Sequence, residues 1–212
     1  MLSSRLCVYR YALVGANTRS NAGWPHPLFF VLLLSRSYVT SPTDTAAVIN
    51  AKLSAGLHVV VTPGVYQLDA PLKLGTPGQV LLGLGLATLV SAKQNSVVEV
   101  GDVDGARVAG FILQAGPPVS ADAANSTANT VAPVLLQWGS GAGYAGSATA
   151  PGFMHDIFVR VGGPDGTTLH PVAAQAMIHV HNGHVIGDNM WLWRADHAKN
   201  GPVAYVRDER ER

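Results

Sequence analysis

The chain has 212 residues, 48% of them hydrophobic and only 13% charged, with a formal net charge of +1. So few charges leave little to cover the wet faces of amphipathic helices, and so small a net charge gives no basic field for a nucleic acid backbone. Gly (23) and Pro (13) punctuate it heavily, which points to many short strands joined by turns, and the single cysteine, Cys7, excludes an intrachain disulfide framework and a thiolate metal site.

Residues 1–37 show no periodicity and are expected to be poorly structured or a late signal-like stretch. Within them residues 28–34 (LFFVLLL) form the longest apolar run, far short of the about 20 residues that a bilayer span needs. No membrane span is therefore expected. With Arg5, Arg10 and Arg19 before it, the run reads either as the apolar part of a secretory signal or as a first buried strand or helix cap over the fold.

Ser41-Pro42-Thr43-Asp44 reads as a helix start, with Thr43 or Asp44 as the cap. Residues 46–53 (AAVINAKL) carry apolar side chains at helical spacing, and Gly56 ends the run. Strand-like runs then follow at His58–Val61, Val65–Leu68 and residues 71–74, the first two joined by the tight turn Thr62-Pro63-Gly64. Runs this short, joined this closely, cannot be hairpins of any length. They fit one coil of a solenoid, in which the chain turns corners and pairs with the next coil.

The pattern recurs at residues 79–82, 87–91, 96–100, 106–113, 134–138, 153–161, 177–181 and 189–194. It repeats at about 20 to 25 residues per coil, an expected solenoid period. Val98/Val100, Val108/Gly110/Ile112 and Ile157/Val159/Val161 are expected to point inward. A sandwich built from hairpins is the structural alternative. The coils are placed at residues 38–198, followed by a charged tail at 199–212 that alternates in sign. Residues 116–133 and 139–152 are small, polar and glycine-rich, and read as loops projecting from the coils. Asn125-Ser126-Thr127 is an N-glycosylation acceptor pattern, meaningful only in a secreted protein.

The run LHVVVTPGVYQLDAPL resembles the first coil of pectate-lyase-like right-handed parallel β-helix proteins. GDNMWLWRADH, with VDGARVAGFILQAGP and DIFVRVGGP, is similar to a subset related to exo-β-1,3-glucanases. The resemblance covers roughly residues 38–197. It implies an all-β fold, a right-handed parallel β-helix with a short N-terminal helix and projecting loops. It further implies an extracellular, polysaccharide-active protein of glycoside hydrolase type, acting on β-glucan. A non-catalytic carbohydrate-binding or adhesion solenoid, and a truncated inactive fragment, stand as alternatives. Relatives continue for more coils beyond the position of Arg212, so the chain is expected to be a fragment. A polysaccharide lyase ranks lower, because Lys and Arg are sparse and no Asp cluster offers a Ca²⁺ site.

The polar chemistry concentrates in residues 177–197, MIHVHNGHVIGDNMWLWRADH. Glycosidases use two carboxyl groups flanking the scissile bond. Asp188, Asp196 and His197 are the acid/base candidates, with Asp156 on a neighbouring coil as the second carboxyl. The plain structural reading makes Asp188, in Gly-Asp-Asn, a corner residue that accepts backbone N–H groups. Trp191 and Trp193 alternate onto one face, either as core or as an outer platform for sugar rings. A narrow interior favouring aliphatic side chains argues for the outer platform, with Arg194 and His181 as further substrate contacts. His155-Asp156 and Arg160 are expected to pair across coils with His179 or His181, in the simplest case as a surface ladder. His179, His181 and His184 are metal-ligand types, but a solvated face is the simpler reading, and no metal or cofactor is expected. Gly83-Leu84-Gly85-Leu86-Ala87 lacks the third glycine and the following helix of a dinucleotide loop. The residues leave the substrate linkage and the oligomeric state open.

Overall fold

A computed structural model describes residues 36–116, 132–162 and 172–195. The chain opens with strand β1 (Ser37–Val39) and helix α1 (Ala46–Ser54), then runs through β2 (His58–Val61), β3 (Val65–Leu68), β4 (Leu72–Leu74) and β5 (Val80–Ser91). It continues with β6 (Val98–Val100), β7 (Arg107–Ala115), β8 (Ala132–Trp138), β9 (Gly152–Gly162), β10 (Ala174–Val180) and β11 (Val185–Ala195). The first insertion lies almost wholly outside the described residues, as do Asn125 and the charged tail.

Every strand pair is parallel. One sheet runs β1-β2-β5-β7-β9-β11, with β3 also on β5, and the other runs β4-β6-β8-β10. The chain thus visits the first sheet, crosses to the second and returns one strand further on. Parallel pairing with this crossing order excludes the sandwich built from hairpins.

The cap of α1 lies one to two residues later than the sequence suggests. Thr45 is the cap, its hydroxyl accepting from the Val48 N–H at 3.4 Å. The Asp44 carboxylate instead accepts from the Ser41 N–H and the Tyr38 hydroxyl, which closes the preceding turn. Ala46, Ile49 and Leu53 are spaced along one stripe and are buried. Gly56 ends the helix with φ +77°, a conformation that costs glycine little.

The first sheet is bent, and the bend is made at one rung. β3 pairs with the second half of β5 while β2 pairs with the first, so each long strand replaces two short ones. In β7, β9 and β11 the rung between Ala109–His155–Asp188 and Phe111–Ile157–Met190 holds Gly110, Asp156 and Asn189. All three are left-handed, at φ +77°, +51° and +51°. Gly, Asp and Asn are the residue types that reach this region most readily. The Asn189 side-chain amide donates to the Asp156 carboxylate across the two strands. In β5 the same place is a register shift between Leu82 and Ala87. A Cβ on Gly110 would come within 2.5 Å of the Gly83 carbonyl oxygen, so the two backbones touch there.

The bend resets the alternation of faces. Val108 points inward as expected, but beyond Gly110 the inward residues are Phe111 and Leu113, not Ile112. Inward side chains stack in columns: Leu81–Val108–Met154, Ala87–Phe111–Ile157 and Leu89–Leu113–Val159, none above 4% exposed. The second sheet faces them with Leu72–Val98–Leu136 and Leu74–Val100–Trp138. Burying each such side chain contributes about 1.5 to 3 kcal/mol. Trp138 is 1% exposed, which runs against the expectation that the interior favours aliphatic side chains. It fits because the facing Gly152 has no Cβ, and one built there would collide with the indole.

Gly110→Ala should cost at least about 2 kcal/mol, the left-handed penalty of a Cβ plus its clash with β5. Gly75→Ala, at a glycine with open space around its Cβ position, should stay within about 0.5 kcal/mol. Urea unfolding of both variants checks this, and an unchanged midpoint for Gly110→Ala would show that the bend does not hold the sheet together.

Candidate functional site

The rungs fix which side chains share the outer flank of the first sheet. Along β11 the alternation places Asp188, Trp191 and Trp193 outward, opposite His155, Phe158 and Arg160 of β9. The aromatic side chains build a raised surface. The two indoles stack at 5.3 Å between centroids and 18° between planes. Phe158 meets Trp191 edge-on at 6.4 Å. Trp191 remains 58% exposed, so one large aromatic face is open to solvent. Beside it the Arg160 guanidinium donates to the Gln114 side-chain oxygen on β7, which steadies the neighbouring strand.

Across the bend lies a second group. His155 Nδ1 sits 3.4 Å from an Asp188 carboxylate oxygen, and the Asp188 side chain is 71% exposed. The His155 ring lies nearly parallel to Phe153, at 5.4 Å and 13°. Arg107 lies 4.5 Å over the Phe153 ring. Burial lowers the Arg107 guanidinium from its ordinary value, because loss of water disfavours the charged form.

The sequence candidates are therefore distributed as follows. Trp191 and Trp193 come together outward, and Asp188 shares their flank. Asp188 lies inside β11, and the bend that the sequence suggested for it falls one residue later, at Asn189. Asp156 occupies that rung on β9, one position from the residue facing Asp188. Arg194 shares the face of Met190 and Leu192, away from the indoles, in register with Val161. His181 follows β10 on the other sheet, where its ring packs at 3.9 Å on His179. Asp196 and His197 lie outside the described residues. His155, Asp156 and Arg160 do pair across neighbouring strands, but with Asp188, Asn189 and Gln114 rather than with His179 or His181. Among the described residues no group of three or more His, Cys, Asp or Glu is placed to hold a metal ion.

His181 belongs to a different corner, which the sequence did not single out. The Asp102 carboxylate there accepts from the Ser140 hydroxyl and, at 3.0 Å, from the Ser140 N–H. Asp104 accepts from the Tyr144 hydroxyl at 2.8 Å. These bonds pin the loop after β8 to the turn after β6. A shallow groove of about 420 Å³ lies next to this corner, along the outer face of the second sheet. Lys73, Glu99 and Gln137 line it, with a Lys73–Glu99 contact of 3.5 Å. Phe158, His155 and Gln114 were also missed as partners of the site, because only the register brings them to it.

The chain matches the LAM55 pectate lyase-like domain family over residues 37–209. It is similar to an exo-beta-1,3-glucanase of Streptomyces sp. (strain SirexAA-E / ActE), at 39% identity over 168 residues, 79% of this chain and 25% of that protein. Two solved structures from Streptomyces sp. SirexAA-E, sacteLam55A and a variant of it in complex with glucose, superpose with a TM-score of 0.66 at 39% identity. The matched region covers 77% of this chain and 27% of each of those chains. The chain thus spans about a quarter of the length of these relatives.

The Ser140 hydroxyl and N–H hold the Asp102 carboxyl below its ordinary value of 3.8. A carboxyl with a lower pKa when folded adds stability that is present above the unfolded value and is lost as pH falls through the folded one. Ser140→Ala should raise the Asp102 titration midpoint toward the ordinary value and soften the loss of stability below about pH 4. Carbon-detected NMR titration of the carboxyl measures it, and an unmoved midpoint would remove the hydroxyl as the cause.

Proposed function

From the premise that this chain belongs to the LAM55 pectate lyase-like domain family, we propose that it is a β-glucan-active protein of glycoside hydrolase type, wound as a right-handed parallel β-helix. The observation that carries the reading is the stacked Trp191–Trp193 pair, open to solvent on the outer flank of β11. A glucose ring has an apolar face of C–H groups, which stacks on indole, and an equatorial rim of hydroxyls, which needs polar partners. Asp188 supplies such a partner on the same flank. It lies three residues from Trp191, less than about 10 Å away because the strand bends between them at Asn189.

Hydrolysis requires a second carboxyl. Asp156 and Asp188 sit on adjacent strands, offset by one position. With strands about 4.8 Å apart and residues about 3.3 Å apart, their backbones are separated by roughly 6 Å. The carboxyls of glycosidases lie roughly 5 to 10 Å apart, a range that side chains on backbones this close can span. Asp188 is the glucan-facing carboxylate in this reading and Asp156 its partner, with Asp196 and His197 following the indoles in sequence as further candidates. A polymeric substrate accords with a protein exported from the cell. One observation favours a second reading, glucan binding without cleavage: the Asp156 carboxylate is already engaged by Asn189 at the bend.

Hydrolysis of a β-1,3-glucan by the wild type and by Asp188→Asn separates the two. The first reading expects turnover to fall by at least about 100-fold in Asp188→Asn. Unchanged turnover would remove Asp188 as a catalytic residue, and no wild-type turnover with retained glucan affinity would select the second reading. Trp191→Ala should weaken glucan affinity in either case, by about 1 to 2 kcal/mol measured calorimetrically. Unaltered affinity would defeat the platform.

A further inference from the structure

We propose that His155 is a positioning residue for Asp188, held with its proton on Nδ1 by a brace made of Phe153 and Arg107. The geometry stands by itself, whereas its consequence for turnover rests on the reading of Asp188 given above.

An exposed aspartate has several rotamers of similar energy, and only a fixed partner selects one. Asp188 is such a side chain, 71% exposed, whereas the His155 side chain that meets it at 3.4 Å is 33% exposed. The imidazole is not free to turn. Phe153 and His155 are two residues apart on one face of β9, and their rings stack at 5.4 Å and 13°. Arg107, in register with Phe153 on the preceding strand, closes over Phe153 at 4.5 Å. The side chains from three successive strands thus form one row: guanidinium, phenyl, imidazole, carboxylate. Arg107 comes from β7, Phe153 and His155 from β9, and Asp188 from β11.

The two ring nitrogens have different surroundings. Nδ1 faces the Asp188 carboxylate. Nε2 is buried, with no hydrogen-bond partner among the described residues. A proton on Nε2 would be a buried donor without an acceptor, which is costly, while Nδ1 would turn a lone pair toward a carboxylate. A proton on Nδ1 reverses both penalties: the ring donates to Asp188 and leaves only a lone pair in the apolar slot. The charged groups facing the imidazole are Asp188 directly, Asp156 as its chain neighbour, and Arg107 beyond Phe153.

Two measurements on the full chain test this. Long-range ¹H–¹⁵N correlation of the imidazoles near neutral pH, assigned with His155→Phe, should show the Nδ1–H tautomer for His155. An Nε2–H or averaged pattern would overturn the proposal whether or not the protein cleaves glucan. On a β-1,3-glucan, His155→Phe, which keeps the stack and removes the donor, should lower kcat by about 10- to 100-fold with little change in KM. His155→Asn, which returns an N–H near the Nδ1 position, should recover most of the loss. Full activity in His155→Phe, or no recovery in His155→Asn, would also overturn it. If the wild type does not cleave glucan, the glycosidase reading fails and the tautomer alone decides the role of His155.

Discussion

Parallel strands stack without gaps only if every strand bends at the same rung. In this protein that requirement falls on Gly110, Asp156 and Asn189, one after another along the bent sheet, all in left-handed backbone conformation. Glycine stands where a Cβ would collide with the Gly83 carbonyl oxygen. Asp and Asn stand where there is room for a side chain, and there the side chains bond to each other. The arrangement lets one long strand cover the span of two short ones, and it resets which residues face the core. Without it the columns through Phe111 and Leu113 would not close against the second sheet.

The same register makes the candidate site. Trp191, Phe158 and Ile112 share a rung, although nearly 80 residues separate the first from the last. Asp188 meets His155 for the same reason, and Arg160 meets Gln114. The flank therefore combines an open aromatic face with an exposed carboxylate, while the second sheet presents a polar groove around Lys73, Glu99 and Gln137. Aromatic stacking is the usual means of holding a sugar ring, which is why the flank ranks above the groove as the proposed glucan-binding surface.

Much of the fold was legible from local pattern. β2 and β3 fall on the predicted runs, α1 differs by one residue at its end, β4 to β11 overlap the predicted runs, and β1 had no predicted counterpart. The bend was not legible. A single left-handed residue inside a strand looks like any Gly, Asp or Asn, and it displaced the inward face from Ile112 to Phe111 and the corner from Asp188 to Asn189. The preference for aliphatic side chains did not anticipate Trp138 in the core, because its place there depends on Gly152, the first residue of β9 on the other sheet. The indoles were placed on one face by alternation and on the outer flank by the aliphatic preference of a narrow interior, but their partners were not placed. Alternation is a local property, whereas His155 and Phe158 reach the site through a register that no short stretch encodes. The Asp102–Ser140 corner went unnoticed for the same reason, since those residues meet across 38 positions.

The central claim is that the bent sheet presents one outer flank on which glucan lies, with a sugar ring on Trp191 and its hydroxyls toward Asp188. A crystal structure of this chain with a β-1,3-linked glucotriose addresses it most directly. The account predicts a glucose ring stacked over the open face of Trp191, with a hydroxyl within hydrogen-bond distance of the Asp188 carboxylate. A trisaccharide seated instead in the groove beside Lys73 and Gln137, with both indoles bare, would contradict it.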